Sequence, residues 1–338
     1  MKNPPLLPNL EFAEACTLSV IVPVFNEQES LITFHHAILQ QMQKMSISWE
    51  LIYVDDGSHD GSRALLKKLC VQTPQASLLA FSRNFGKESA MSAGLALAKG
   101  EAVVIMDADL QDPPSVLPQM LEAWRAGADV VNMRRRSRAG ETWLKRWTAQ
   151  AFYQVMNRMA SFEIPQGIGD FRLLSRRAVE ALNQLPESNR FMKGLFSWVG
   201  FPQVILEYDR DPRVAGQSKW NYWKLWNFAL EGITSFSVAP LKLSTYLGFL
   251  IAFGAFAYAF FFLFKTLLIG DATPGFPTLI IVVLFLGGTQ LMAIGILGEY
   301  LGRLYHESKR RPLYLVEEYL PPRDLLTESN APQYKGRL

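Results

Sequence analysis

Short β-branched apolar runs alternate with stretches of helical spacing from residue 17 to about residue 135. The runs are Leu18–Val24, Glu50–Asp55, Ser77–Phe81, Ala102–Met106 and Asp129–Asn132. Between them, Gln28–Met45, Gly61–Leu69, Lys87–Ala98 and Pro114–Ala126 repeat their apolar positions every three or four residues. Strand followed by helix in this rhythm predicts a Rossmann-like α/β domain with a mostly parallel sheet covered on both faces. Ligands of such sheets bind at the carboxyl ends of the strands. The polar signatures of this chain fall there: Asn26-Glu27, Asp55-Asp56, and Asp107 to Asp112.

The pattern changes after residue 140. Trp143–Met159 reads as an amphipathic helix with Lys145, Arg146 and Arg158 among aromatic residues, and Trp220–Ser235 is similarly aromatic. Two readings stand for these segments, core helices or helices lying in a membrane interface, where aromatic and basic side chains are favoured. Two long apolar stretches follow. Neither Leu243 to Phe264 nor Thr278 to Gly298 contains a charged residue, and each has about the ~20 residues needed to cross a bilayer core. The connector holds Asp271 and no Lys or Arg, whereas Lys242 precedes the pair and Arg303, Lys309, Arg310 and Arg311 follow it. The positive-inside rule then predicts a transmembrane hairpin with both ends in the cytoplasm. Lys265, at the presumed outer end of the first span, fits less well and would snorkel. Gly287-Gly288, Gly295 and Gly298 offer close-packing positions between spans, so a homo-oligomer is expected, a tetramer among the candidates.

The expected organisation is an N-terminal extension over 1–15, an α/β domain with its interfacial helices (about 141–160 and 220–236) over 16–240, the hairpin over 241–303, and a polar tail over 304–338. Composition narrows this little. The net charge of +3 does not suggest a nucleic-acid binder, and Cys16 and Cys70 make neither a disulfide framework nor a zinc site. Met1 to Glu14 lacks the basic start and apolar core of a secretory signal, which predicts a main domain that stays in the cytoplasm.

The strongest chemical signal is Asp107-Ala108-Asp109-Leu110-Gln111-Asp112-Pro113-Pro114. Two carboxylates two residues apart at a strand end can converge on one magnesium or manganese ion, with substrate phosphates completing the shell. Gln111 adds a further oxygen at the same spacing. The plain alternative is an acidic helix N-terminus offsetting the helix dipole. The second signal is Asp55-Asp56-Gly57-Ser58-His59-Asp60-Gly61, where an acid can accept hydrogen bonds from a base or ribose and Asp60 can cap the next helix. It also reads as an ordinary turn. Pro23-Val24-Phe25-Asn26-Glu27 is a third, weaker strand-end feature.

Taken together, these motifs resemble the inverting family 2 glycosyltransferases with the GT-A fold. Within that family the chain is similar to polyprenyl-phosphate sugar transferases over almost its whole length. The resemblance is carried also by Phe81-Ser82-Arg83-Asn84-Phe85-Gly86-Lys87-Glu88, Gly169 to Arg176, Phe191-Met192-Lys193-Gly194 and Gly298-Glu299-Tyr300-Leu301-Gly302-Arg303, which look like bactoprenol glucosyltransferases. It implies glucose transfer from UDP-glucose to undecaprenyl phosphate at the cytoplasmic face of a bacterial inner membrane. A flippase would act downstream on the product. It implies that Pro23, Phe25, Glu27, Asp55, Asp56, Arg83, Lys87 and Asp107 frame the nucleotide-sugar. It further implies that Asp107, Asp109 and Gln111 hold Mg2+ or Mn2+ and the diphosphate. Asp170 is then the family's candidate base, with acceptor positioning or a helix cap before Leu173–Leu182 as its other readings. Arg213 and Lys219, in a segment resembling Arg-x-x-Gly-x-Ser-Lys, would hold a phosphate; Arg134, Arg135, Arg136, Arg138 and Arg172 are further cations for it. No Gln-x-x-Arg-Trp motif is present: the nearest stretch is Trp143-Leu144-Lys145-Arg146-Trp147, which argues against a processive synthase. The competing expectations are the same reaction with mannose, aminoarabinose or an N-acetylated sugar, a transporter subunit with a nucleotide-sensing domain, and a non-catalytic scaffold.

Overall fold

The computed structural model describes residues 16–136, 168–187, 190–209, 239–269 and 275–323. It divides into two compact units. The first contains an eight-stranded sheet, in the order β7-β5-β6-β4-β1-β2-β3-β8. Its strands are β1 (Leu18–Val24), β2 (Trp49–Asp55), β3 (Ala76–Phe81), β4 (Ala102–Ile105), β5 (Val130–Arg135), β6 (Ile168–Ser175), β7 (Gln203–Tyr208) and β8 (Val316–Leu320). The helices of this unit are α1 (Gln28–Met45), α2 (Ser62–Gln72), α3 (Lys87–Leu97), α4 (Leu117–Arg125, entered through a 3-10 turn at Pro114–Val116), α5 (Arg176–Gln184) and α6 (Met192–Trp198).

The centre of the sheet follows the sequence pattern. Strands β4, β1, β2 and β3 run parallel, and β1, β3 and β4 are buried along their whole length. Continuous apolar strands of this kind are covered on both faces. Val20, Val22, Leu51, Tyr53, Leu78 and Val104 join Leu31, Phe34 and Ile38 of α1 in one core.

The flanks correct the expectation of a mostly parallel sheet. Strand β6 enters antiparallel between β4 and β5, and β8 adds antiparallel to β3. The sheet is therefore mixed, in the manner of a GT-A domain. Val316–Leu320, within the stretch expected as a tail, forms its edge strand. Strand β5 also runs past Asn132 to Arg135, so Arg134 and Arg135 belong to the strand and not to a loop after it. Cross-strand ion pairs to the β7 side support that extension: Arg134 meets Glu207 at 2.6 Å and Arg136 meets Asp209 at 2.8 Å.

The second unit contains two long helices in contact with each other, α7 (Ala239–Ile269, 31 residues) and α8 (Phe276–Ser308, 33 residues). Among the described residues no helix is long and apolar enough to cross a membrane. The expected transmembrane hairpin is therefore not supported by the described residues, although as sequences the two helices contain the charge-free runs Leu243 to Phe264 and Thr278 to Gly298. The segments expected as interfacial helices, 141–160 and 220–236, lie outside the described residues, as do Arg138, Arg213 and Lys219.

Candidate active site

Three loops leave the carboxyl ends of β1, β2 and β4, and each contains a residue in the left-handed backbone region: Asn26 (φ 55°), Gly57 (φ 67°) and Leu110 (φ 59°). For leucine that conformation costs roughly 1–2 kcal/mol, and residues held this way cluster at functional sites. The kink at Leu110 brings the Gln111 amide back to donate to Asp109 Oδ1 at 3.1 Å.

The turn after β2 is tied to the loop after β1 by reciprocal bonds. Asn26 N donates to Ser58 Oγ at 3.0 Å, His59 N to Asn26 Oδ1 at 2.9 Å, and Glu27 N to Ser62 Oγ at 3.0 Å. Phe25 is partly exposed beside the His59 ring. Asp60 accepts from the first turns of two helices, at Ser62 N and Gln28 N.

Asp55 and Asp56 have different duties. Asp55 is fully buried and accepts from Ser58 N (3.1 Å) and Arg63 Nε (2.7 Å), so it frames the site by holding the turn. Asp56 accepts from the backbone amides of Phe85 (2.7 Å) and Gly86 (3.0 Å). Burial raises its pKa against the lowering effect of those amides. Asp56 thereby fixes the loop that delivers Lys87, while Arg83 in the same loop lies over the Phe85 ring at 4.0 Å.

The register of β4 and β6 builds the centre. Ala102 pairs with Ser175 and Ile105 with Arg172; continuing that antiparallel register by two residues sets Asp107 opposite Asp170. The Lys87 ammonium bridges them, 2.6 Å from Asp107 Oδ1 and 2.7 Å from Asp170 Oδ2. Burial acts to lower the pKa of Lys87, but the two carboxylates outweigh it and hold the ammonium above the usual lysine range. Burial likewise acts to raise Asp170, and Lys87, Lys193 and Arg172 outweigh it, so this carboxylate is held well below the ordinary range. Asp170 lies within β6, and the cap of α5 is Ser175, whose side chain accepts from Ala178 N. The helix-cap reading of Asp170 is thereby overturned. Arg172 is buried, with Nη2 donating to Gly169 O at 2.7 Å and its guanidinium 3.8 Å from the Phe196 ring centroid.

Asp109 and Gln111 are buried beside this bridge in the chain. Among the described residues Gln111 Oε1 is a buried oxygen without a hydrogen-bond partner, open to a water or an ion. Hard oxygen donors at Asp107, Asp109 and Gln111 fit a magnesium- or manganese-type ion. Among the described residues no group of three or more His, Cys, Asp or Glu side chains gathers as a metal site, and both Asp107 oxygens face the Lys87 ammonium. Asp112 accepts from the Tyr208 hydroxyl, and burial, then the Asp107 charge, push its pKa up to about 6.

Sequence reasoning missed Lys193, Tyr208, Arg63 and Glu317 as site residues. Lys193 stood inside a motif, yet its closeness to Asp170 depends on α6 meeting β6, where the Arg172 guanidinium lies over the Phe196 ring. Tyr208 and Glu317 lie on strands that carry no strong alternation, and Arg63 falls within the helical stretch Gly61–Leu69 outside any chemical motif.

A mixed α/β sheet with paired acids at the end of β4 and a tied turn after β2 is compatible with the glycosyltransferase domain expected from the sequence. The model of the family described as glycosyl transferase family 2 matches residues 19–182. An uncharacterized glycosyltransferase of Synechocystis is 50% identical over 90% of this chain and 97% of its own length. The bactoprenol glucosyl transferase of Shigella phage SfV is 47% identical over 89% of this chain and 98% of its own. A prophage bactoprenol glucosyl transferase homolog of Escherichia coli K12 is 46% identical over the same shares. The chain belongs to glycosyltransferase family 2. Among solved structures, glucosyl-3-phosphoglycerate synthase from Mycobacterium tuberculosis with Mn2+ and uridine-diphosphate-glucose covers 65% of this chain and 77% of its own at 18% identity and a TM-score of 0.41, a likeness too distant to bear on ligands here.

Proposed function

We propose that this glycosyltransferase moves glucose from UDP-glucose to undecaprenyl phosphate, by a single inverting displacement at the cytoplasmic face of a bacterial inner membrane. The observation that carries the reading is the Asp107–Lys87–Asp170 bridge at the strand end that leads into Asp109 and Gln111. Relatives named bactoprenol glucosyl transferase, aligned over nearly their whole length, favour glucose and a polyprenyl acceptor over the other sugars.

Asp107, Asp109 and Gln111 would hold Mg2+ or Mn2+ against the donor diphosphate. When bound, such an ion stabilises the charge that develops on a diphosphate leaving group. The chain's own groups do the rest. The tied loops around Pro23, Phe25, Glu27 and Asp56 shape the nucleotide's seat, with Arg83 and Lys87 supplying positive charge. The acceptor is a phosphate monoester, whose second pKa near ~6 leaves it largely dianionic at neutral pH. It needs no strong base. Asp170, held ionised by three cations, serves by fixing Lys87 and its neighbours where an anionic acceptor must approach. Arg213 and Lys219 belong to the same proposal as phosphate-holding cations.

The helices α7 and α8 form the membrane hairpin in this reading. Their sequences carry charge-free runs of spanning length, and Phe249, Leu250, Phe253, Phe260, Leu291 and Leu297 are exposed. Apolar exposure on this scale marks an interaction surface, here bilayer lipid. The test is transfer by the purified full chain from a panel of radiolabelled nucleotide-sugars to undecaprenyl phosphate. Label should enter the lipid phase from UDP-glucose in preference to the others. Absence of lipid label from every donor would end the proposal.

A further inference from the structure

We infer that β8, which follows both long helices in the chain, is a working wall of the donor site, and that Arg63 and Glu317 are positioning residues for the nucleotide-sugar. The inference rests on the functional reading above and adds to it a part of the chain outside the family-matched region 19–182.

The guanidinium of Arg63 reaches three strands at once. Its Nε donates to Asp55 Oδ2 of β2 at 2.7 Å, its Nη1 to Glu317 Oε2 of β8 at 2.6 Å, and its Nη2 to Phe81 O of β3 at 2.7 Å. A planar fork with fixed donor directions is suited to setting the relative position of three acceptors, which a lysine ammonium cannot do. Each acceptor leads into the donor site. Asp55 uses its other oxygen to hold Ser58 N, and Ser58 in turn receives the Asn26 amide. Phe81 ends β3 and begins the loop that Asp56 anchors and that delivers Arg83 and Lys87.

The segment around β8 grips the same loop independently. Tyr314 stacks on Phe81, with ring centroids 4.8 Å apart and planes within 14°. Ser82 N donates to Leu315 O at 3.0 Å. Lys67 pairs with Glu318 at 2.6 Å. A cavity of about 390 Å³ opens beside the turn, lined by Ser58, His59, Arg63, Arg83 and, from β8, Glu317. The turn after β2 and the loop after β3 are thus held in mutual register by a strand encoded beyond the hairpin. A chain that ends before residue 314 keeps Asp107, Asp109 and Asp170 but loses that register.

The full-length Glu317→Ala, Glu317→Asp and Arg63→Lys variants test this. Donor KM, acceptor KM, kcat and UDP affinity are measured for each, with thermal unfolding alongside. Glu317→Ala should raise donor KM and weaken UDP binding by roughly three- to fivefold, the scale of a partly exposed ion pair. Acceptor KM and the unfolding midpoint should stay put. Glu317→Asp should recover part of the loss, and Arg63→Lys should show a larger donor defect, since it keeps the charge without the fork. Unchanged donor KM and UDP affinity in both Glu317→Ala and Arg63→Lys overturn the inference while leaving the functional reading intact. A wild-type chain that binds no UDP overturns both.

Discussion

Asp55 and Asp56 are adjacent in sequence and indistinguishable there, yet one is sealed against Arg63 and the other holds the amides of Phe85 and Gly86. Spacing reveals that acids stand at a strand end; partner identity depends on which loops pack nearby. The same holds for Asp109 and Gln111, where the two-residue spacing was legible and the left-handed Leu110 that folds them together was not. If these residues hold the ion, Asp109→Ala abolishes transfer, and excess EDTA does the same to the wild type until Mg2+ or Mn2+ is restored. Full transfer in excess EDTA would contradict the assignment. A second prediction concerns His35, buried between the Tyr53 hydroxyl (2.8 Å) and Thr73 Oγ1 (3.0 Å). Burial, helped by His36, lowers its pKa from 6.5 to about 4. A histidine depressed on folding stabilises the fold fully above its unfolded value and loses that contribution as pH falls from 6.5 towards 4. The full loss is about 3 kcal/mol. Thermal unfolding of His35→Gln should therefore show a flatter pH dependence across that window than the wild type. Identical pH slopes would refute the assignment.

At the scale of elements, the parallel centre was readable because β1 to β4 are buried almost throughout and so appear as mostly apolar runs. Helix α1 was read with its final bounds, Gln28–Met45. Strands β6, β7 and β8 were not read. Strand β6 contains Asp170 and Arg172 amid its apolar residues, and β7 alternates weakly, with Val204 and Ile205 partly exposed. Both are strands because they find partners far away in sequence, which local pattern does not report. That omission hid the β4–β6 register, the feature that places Asp107 opposite Asp170. The turn after β2 supplies an element-level prediction. A Cβ at Gly57 would meet the Arg83 carbonyl carbon at 2.3 Å, on a backbone with φ of 67°. Gly57→Ala should cost more than the ~1–2 kcal/mol of left-handed strain alone, because backbone cannot yield as a side chain does. Gly127→Ala, at φ 106° with open space around it, isolates the strain. Equal losses in unfolding midpoint for the two variants would show that the turn is loosely packed.

At the scale of the whole molecule, the proposed reaction needs a membrane-borne lipid substrate, and the sequences of α7 and α8 are the candidate anchor for it. Their charge-free runs and basic flanks predict a hairpin whose short loop faces away from the cytoplasm. Thr273→Cys in intact cells should react with an impermeant thiol reagent once any outer barrier is permeabilised, whereas labelling only after inner-membrane lysis would contradict the orientation. The native thiols interfere little, since burial pushes the pKa of Cys16 up to about 11 and that of Cys70 up to about 12. The central claim is the reaction itself: one displacement at the anomeric carbon, with the lipid phosphate as nucleophile. It is tested most directly by making the product from UDP-glucose and undecaprenyl phosphate and reading its anomeric configuration by NMR. The donor is α-linked, so a single displacement predicts a β-glucosyl phosphodiester on the lipid. An α-linked product, or glucose recovered only in water-soluble form, would contradict it.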